Sequence, residues 1–202
     1  MPRSGHYVGE LSPNYPLLGL VAHRPAHGFE LHRRLLNELG SIWHISQSQA
    51  YAILARLERD GLLAGSSVQQ ENRPNRNEFR LTDQGRASLD TWLLAPTVIS
   101  PRALRVEFTT RLYFLSLLHP KLLQAAITDQ REAMLVAYEL SRKSLVETDE
   151  DDVFNRLAVA LRVRQLASLT EWLDDCQESL RFYPTSQTAT PHSFPIVDLA
   201  IN

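Results

Sequence analysis

The stretch from Ser46 to Gly61 specifies both ends of a helix and the side of it that is buried. Ser46-Gln47-Ser48-Gln49 has the spacing of a capping box, in which the first hydroxyl accepts a free backbone N–H and Gln49 reaches back to the N–H of Ser46. Ala50, Ile53, Leu54 and Leu57 then recur at i, i+3, i+4 and i+7, one stripe of an amphipathic helix. Gly61 stands where helix ends favour glycine. The other face carries Gln47, Ser48, Tyr51, Ala52, Ala55 and Arg56, all polar or small. Such a helix buries one side and offers the other to water or to a polar partner.

Two helices are expected before it. One runs from about Tyr15 to His23 and stops at Pro25; the next runs from Gly28 to Leu39, with Leu31, Leu35 and Leu39 four apart and Gly40 as its stop. After it the period changes. Leu62 to Gln70 and Glu78 to Thr82 read as short strands, joined by a loop that holds Arg73, Pro74, Asn75 and Arg76. Thr82 or Asp83 then caps a helix through Ala87, Leu89, Trp92 and Leu93 that Pro96 ends. Three helices, a hairpin and a helix, in that order, are the order of a winged helix-turn-helix. A DNA-binding domain over residues 1–95 is therefore expected, with a linker bracketed by Pro96 and Pro101.

Three further helical stretches are expected over 102–183. The first shows Leu104, Phe108, Leu112 and Leu115; the second shows Leu123, Ile127, Met134, Ala137 and Leu140. The third, from about Asp152 to Phe182, has a main stripe of Phe154, Leu157, Ala158, Leu161, Leu169, Trp172, Leu173 and Leu180, with Val159, Val163 and Leu166 off that face. A helix that is apolar on two sides must be covered on two sides. A second copy of the chain covers it economically, with Leu104, Phe108, Leu157, Leu161, Leu169, Trp172 and Leu173 as dimerisation residues; a three-helix core within one chain is the alternative. The fold class expected is mainly α, a winged helix-turn-helix domain followed by a C-terminal helical dimerisation region. Residues 184–202 read as a tail, in which Ile196, Val197, Leu199 and Ile201 are able to dock.

Composition narrows the function. With few glycines (8) and one cysteine, Cys176, the chain has no disulfide framework, and a reducing compartment such as the cytoplasm is expected. Cys176, between Trp172 and Leu180, reads as a small core hydrophobe. No apolar run reaches the about 20 residues of a membrane span, and Met1 to Pro13 lacks the pattern of a secretory signal. Net charge is −2, but residues 1–86 hold 10 Lys+Arg against 8 Asp+Glu, and residues 87–202 hold 11 against 15. The positive end is thus the end with the hairpin. Only Lys121 and Lys143 are lysines, and arginine is the better bidentate partner for phosphate or guanine.

Three separated blocks resemble the PadR-type regulators: Leu17-Leu18-Gly19-Leu20 to His27-Gly28-Phe29-Glu30-Leu31, then Gln49-Ala50-Tyr51 to Leu57-Glu58 and Gly61-Leu62, then Phe79-Arg80-Leu81-Thr82 to Gly85-Arg86. Together they cover about residues 15–95, and the helical remainder is similar to the longer-tailed branch of that family. Ser48, Ala55 and Phe79 depart from the glycine, the basic residue and the tyrosine usual there. The resemblance implies a homodimer whose third helix enters the major groove of a pseudo-palindromic operator duplex while the hairpin touches the flanking backbone or minor groove. It implies a repressor released by a small aromatic or drug-like effector, with no cofactor. The DNA-binding residues expected are Ser46, Gln47, Ser48, Gln49, Tyr51 and Arg56 on the third helix, and Arg73, Asn75 and Arg76 on the hairpin. Gln47 and Gln49 suit adenine N6 and N7, although Gln49 is unable to serve fully in both the cap and a base contact.

Other functions find less support. His23 and His27 straddle Pro25, and His27 and His32 are five apart, so neither pair has the one-face spacing of a helical metal site. Neither a nucleophile elbow nor a phosphate-binding loop motif occurs, so an enzyme is not expected. Asp149 to Asp152 suits a solvated turn before a helix. Trp43 and Trp92 read as core anchors, with a role for Trp92 and Trp172 in stacking a planar effector as the alternative. A winged helix that binds protein and not DNA also stays open; it would favour an acidic or apolar face on the third helix.

Overall fold

Helix α1 (Asn14–His23) is apolar on every side, and consecutive residues from Pro16 to Val21 are buried, so neighbours must surround it. The computed structural model describes residues 11–68 and 76–182, with the backbone alone at 67, 68, 76 and 77. In it α2 (Gly28–Leu39), α3 (Gln47–Arg59) and α4 (Asp83–Leu94) pack around α1. All four begin and end within a residue or two of where the apolar spacing and caps put them. Arg34 of α2 is buried and donates from Nη1 to Leu20 O and Arg24 O, both at 3.2 Å. A cation there faces the negative end of α1, where carbonyls lack helical partners.

The sheet has one strand more than the sequence pattern predicts. Strand β1 (Ala26–His27) joins β2 (Leu63–Val68) and β3 (Arg76–Leu81) in the antiparallel order β1-β3-β2. Ala26 and Gly65 lie on opposite sides of Phe79, and His27 pairs with Glu78. Between α3 and β2 the chain reverses at Gly61, whose φ of +73° is the left-handed conformation that only glycine adopts without strain. Thr82 caps α4 by accepting from Gly85 N at 3.0 Å, and its hydroxyl donates to Gly61 O at 2.7 Å.

The segment 95–100 is pinned at several points. Arg111 donates to Ala95 O, Glu107 and Thr97 Oγ1, while Gln130 exchanges hydrogen bonds with both the N–H and the carbonyl of Thr97, at 3.2 and 3.3 Å. The next helix comes in three pieces: α5 (Pro101–Ala103), a π-helical turn (Leu104–Phe108) and α6 (Thr109–Leu118). Phe114 of α6 is fully buried against α1, where a Cβ on Gly19 would stand 2.6 Å from its ring. A 3₁₀ turn (Pro120–Leu122) leads to α7 (Leu123–Glu147) and α8 (Val153–Ser179), which pair as a long hairpin. Arg131 of α7 and Asp174 of α8 form an ion pair across it.

This hairpin corrects part of the expected dimerisation surface. Leu104, Phe108 and Leu173 are buried within the single chain, Phe108 meeting Trp172 edge to face at 6.3 Å. Leu169 and Trp172 are half-buried in the same cluster. The inner face of α8 is built instead from Leu166 and Leu173, one heptad apart, with Val159 and Val163 half-buried on the approach to them. That set recurs at the spacing an antiparallel helix pair needs. The start of the expected main stripe is left outside: Phe154 is 85% exposed, Leu157 61% and Leu161 57%. Among the described residues no helix is long and apolar enough to cross a membrane.

Candidate nucleic-acid interface

The exposed start of α3 is held by its own cap. Ser46 Oγ accepts from Gln49 N at 3.2 Å, and Gln49 Oε1 accepts from Ser46 N at 2.8 Å, so the capping box forms as the sequence predicts. Ser46 and Ser48 share a hydroxyl hydrogen bond at 3.0 Å. Ala50, Ile53, Leu54 and Leu57 are buried beneath, and Ser46, Gln47, Ser48, Gln49, Tyr51 and Arg56 are all exposed. The cap also divides the two glutamines. Gln49 commits its carbonyl oxygen to Ser46 N, which turns its amide toward the cap, whereas no such tie holds Gln47. A bidentate contact to adenine needs both amide functions.

The turn that leads into α3 is fixed from two directions. His32 Nε2 is hydrogen-bonded to Ile45 O at 2.9 Å, and Trp43 Nε1 donates to Thr110 Oγ1 of α6 at 2.8 Å. Glu38, at the end of α2, pairs with Arg34 at 3.1 Å and accepts from Tyr113 Oη of α6. Pattern reading finds Trp43 as a core anchor but not its partner, because Thr110 is 67 residues away and carries no local signal.

Arg56 lies on the exposed face, with Nη2 donating to Asn14 Oδ1 at 2.5 Å. That draws one corner of its guanidinium to the start of α1, a partner that sequence reading did not single out. Glu58 crosses to the hairpin and accepts from Gly65 N at 3.0 Å, which ties α3 to β2. Of the hairpin residues expected to reach DNA, Arg73 and Asn75 lie outside the described residues. Arg76 was expected at the tip; its backbone instead opens β3, opposite Val68, because the ladder runs further than the hydrophobic pattern does. Arg80, also on β3, is exposed and paired with Glu78 at 2.7 Å.

A capped helix with a polar outer face, joined by Glu58 to a β-hairpin, is the geometry of a winged helix-turn-helix, and its sequence matches a known family. Residues 17–91 match the transcriptional regulator PadR-like family, and residues 104–181 match the virulence activator alpha C-terminal family. Residues 17–91 are thus a PadR-like regulator domain. That family is one of regulators and not of enzymes. The negative transcriptional regulator PadR of Bacillus subtilis is 28% identical over 144 residues, covering 70% of this chain and 79% of that one. Among solved structures, B. subtilis PadR in complex with operator DNA is 22% identical, covers 83% of this chain and 98% of that one, and superposes with a TM-score of 0.42. A PadR-like regulator from Bacillus cereus is 20% identical over 83% of this chain and 94% of its own, with a TM-score of 0.38. These superpositions are loose, and the winged-helix assignment rests on the chain's own elements and on the match of residues 17–91 to the PadR-like family.

Proposed function

We propose that this chain is an operator-binding repressor that acts as a homodimer and is released by a small aromatic or drug-like molecule. The capped, exposed start of α3 carries the reading. A helix N-terminus has free N–H groups and partial positive charge, so it receives a phosphate while neighbouring side chains reach base edges. Gln47, Ser48 and Tyr51 are the base-reading set, Ser46 and Gln49 hold the helix start, and Arg56, Arg73, Asn75 and Arg76 meet the backbone. The exposed face has neither the acidic nor the apolar character of a protein-binding surface. Repression follows the role named for the B. subtilis relative, and the effector class follows the family resemblance.

The homodimer rests on the outer side of the α7–α8 hairpin, where Leu140, Phe154, Leu157 and Leu161 are exposed. Residues 46–56 and the hairpin read DNA in this scheme, and the helices after residue 101 assemble the pair. The decisive experiment titrates the full chain with duplex DNA from upstream of its own gene, beside a scrambled duplex, at several salt concentrations. Selective binding is expected, with a log–log salt slope growing by about 0.9 for each phosphate contacted. Equal affinity for both duplexes, or binding indifferent to salt, would refute it.

A further inference from the structure

We propose that Gly28 is a positioning residue for operator recognition: by lacking a side chain it lets the Tyr51 ring lie against the start of α2 and so fixes where Tyr51 meets DNA. The inference rests on the reading of α3 as the DNA-contacting helix. Gly28 is the first residue of α2 and is buried. A Cβ placed on it would stand 2.7 Å from Tyr51 Cε1 and 3.2 Å from Cδ1 and Cζ. Real Cβ atoms do not approach a ring so closely, so any larger residue at 28 must displace it.

The ring sits one helical turn beyond Gln47 and Ser48 and shares their exposed face. Tyr51 is 43% exposed, so part of it rests on protein and part is presented outward. A phenol ring has two torsions, and a support on one side removes much of their freedom before DNA arrives. Gly28 directly follows His27, whose backbone pairs with Glu78 of β3. The support under Tyr51 is therefore continuous with the sheet that carries the wing, and the contact sets the two DNA-facing parts relative to each other.

What yields on substitution decides the outcome. The atoms in the way belong to a partly exposed side chain that can swing to another rotamer, whereas the backbone around Gly28 is held by buried Ala26 before it and buried Leu31 one turn on. Alanine in the first turn of a helix also lowers the entropy of the unfolded chain. Gly28→Ala should therefore leave folding intact and move the ring.

The test uses the full chain and a duplex enriched by the parent from a random-sequence pool, beside its scrambled counterpart. Gly28→Ala is expected to weaken the enriched duplex about 10-fold, within the range of one lost base contact, with no change on scrambled DNA and no fall in melting temperature. Tyr51→Ala should do the same, and adding Gly28→Ala to Tyr51→Ala should cost nothing further. A loss that persists undiminished in the Tyr51→Ala background overturns the proposal, as does parental affinity in either single variant. A Gly28→Ala protein that does not fold overturns it too, since the ring would not then be the part that yields. If the parent enriches no duplex, the DNA-reading function itself falls and takes the proposal with it; if Gln47→Ala weakens binding while Tyr51→Ala does not, only the role of Gly28 is lost.

Discussion

Two glutamines two residues apart are held differently, and the difference lies in one oxygen. Gln49 Oε1 is held by Ser46 N, while Gln47 is untied, so their alanine variants should separate. Gln49→Ala should lower stability by about 1 kcal/mol, the usual cost of damage to a helix cap, seen as a shifted midpoint in urea. Gln47→Ala should leave that midpoint in place and reduce discrimination between operator and scrambled duplex by roughly 10-fold. If Gln49→Ala is instead the variant that loses selectivity at full stability, the division is wrong. Cys176 offers a second residue-scale measurement. Burial, then the neighbouring Asp175 charge, push its thiol from 9.0 up to about 12, so at pH 8.5 almost none is thiolate in the folded chain. Alkylation by iodoacetamide should be slow until denaturant is added, and labelling as fast as that of a free thiol would contradict the placement. The sign of the linkage follows: because the folded value is raised, this group's contribution is whole below pH 9 and is lost as pH rises above it.

At the scale of elements, the turn before α3 depends on a helix far along the chain. Trp43 Nε1 is buried against Thr110 Oγ1, so Thr110→Val leaves a buried indole N–H without its acceptor. A destabilisation of about 1–3 kcal/mol is expected, largely relieved when Trp43→Phe removes the donor too; denaturant midpoints of the two singles and the double measure it. Equal costs that simply add would mean that the pair does not interact. The elements themselves were readable because each carries local marks. The Ser46 cap, the Ala50–Leu57 stripe and Gly61 define α3 without outside information, and the capping box appears atom for atom. Strand β1 was not readable. Two residues have no periodicity, and Ala26–His27 become a strand only because Phe79 and Glu78 present an unpaired edge. The last helix shows the opposite difficulty, with two apolar sides in view and nothing local to say which one the same chain covers. The smaller set around Leu166 faces inward, and Phe154, Leu157 and Leu161 are left out.

For the whole molecule, that uncovered side is where assembly becomes testable. A charge at Leu161, which is exposed in the single chain, should leave helix content unchanged while halving the mass seen by sedimentation, and should weaken operator binding by separating the heads. A Leu161→Glu protein that sediments as the parent does would remove this surface from the assembly. The candidate site was legible only in part for a related reason. Sequence placed the polar residues on one helix face, but the ties that hold that face, Glu58 to Gly65 and Trp43 to Thr110, cross between elements and leave no mark in either. The ring of Phe114 in the notch at Gly19 has a longer reach. Because α6, coded after the linker, completes the core around α1, a cut after residue 95 would not release a finished reading head. Gene fusions that exchange heads between regulators of this build should succeed only when the crossover falls beyond Leu118, so that each head inherits the helix that plugs it.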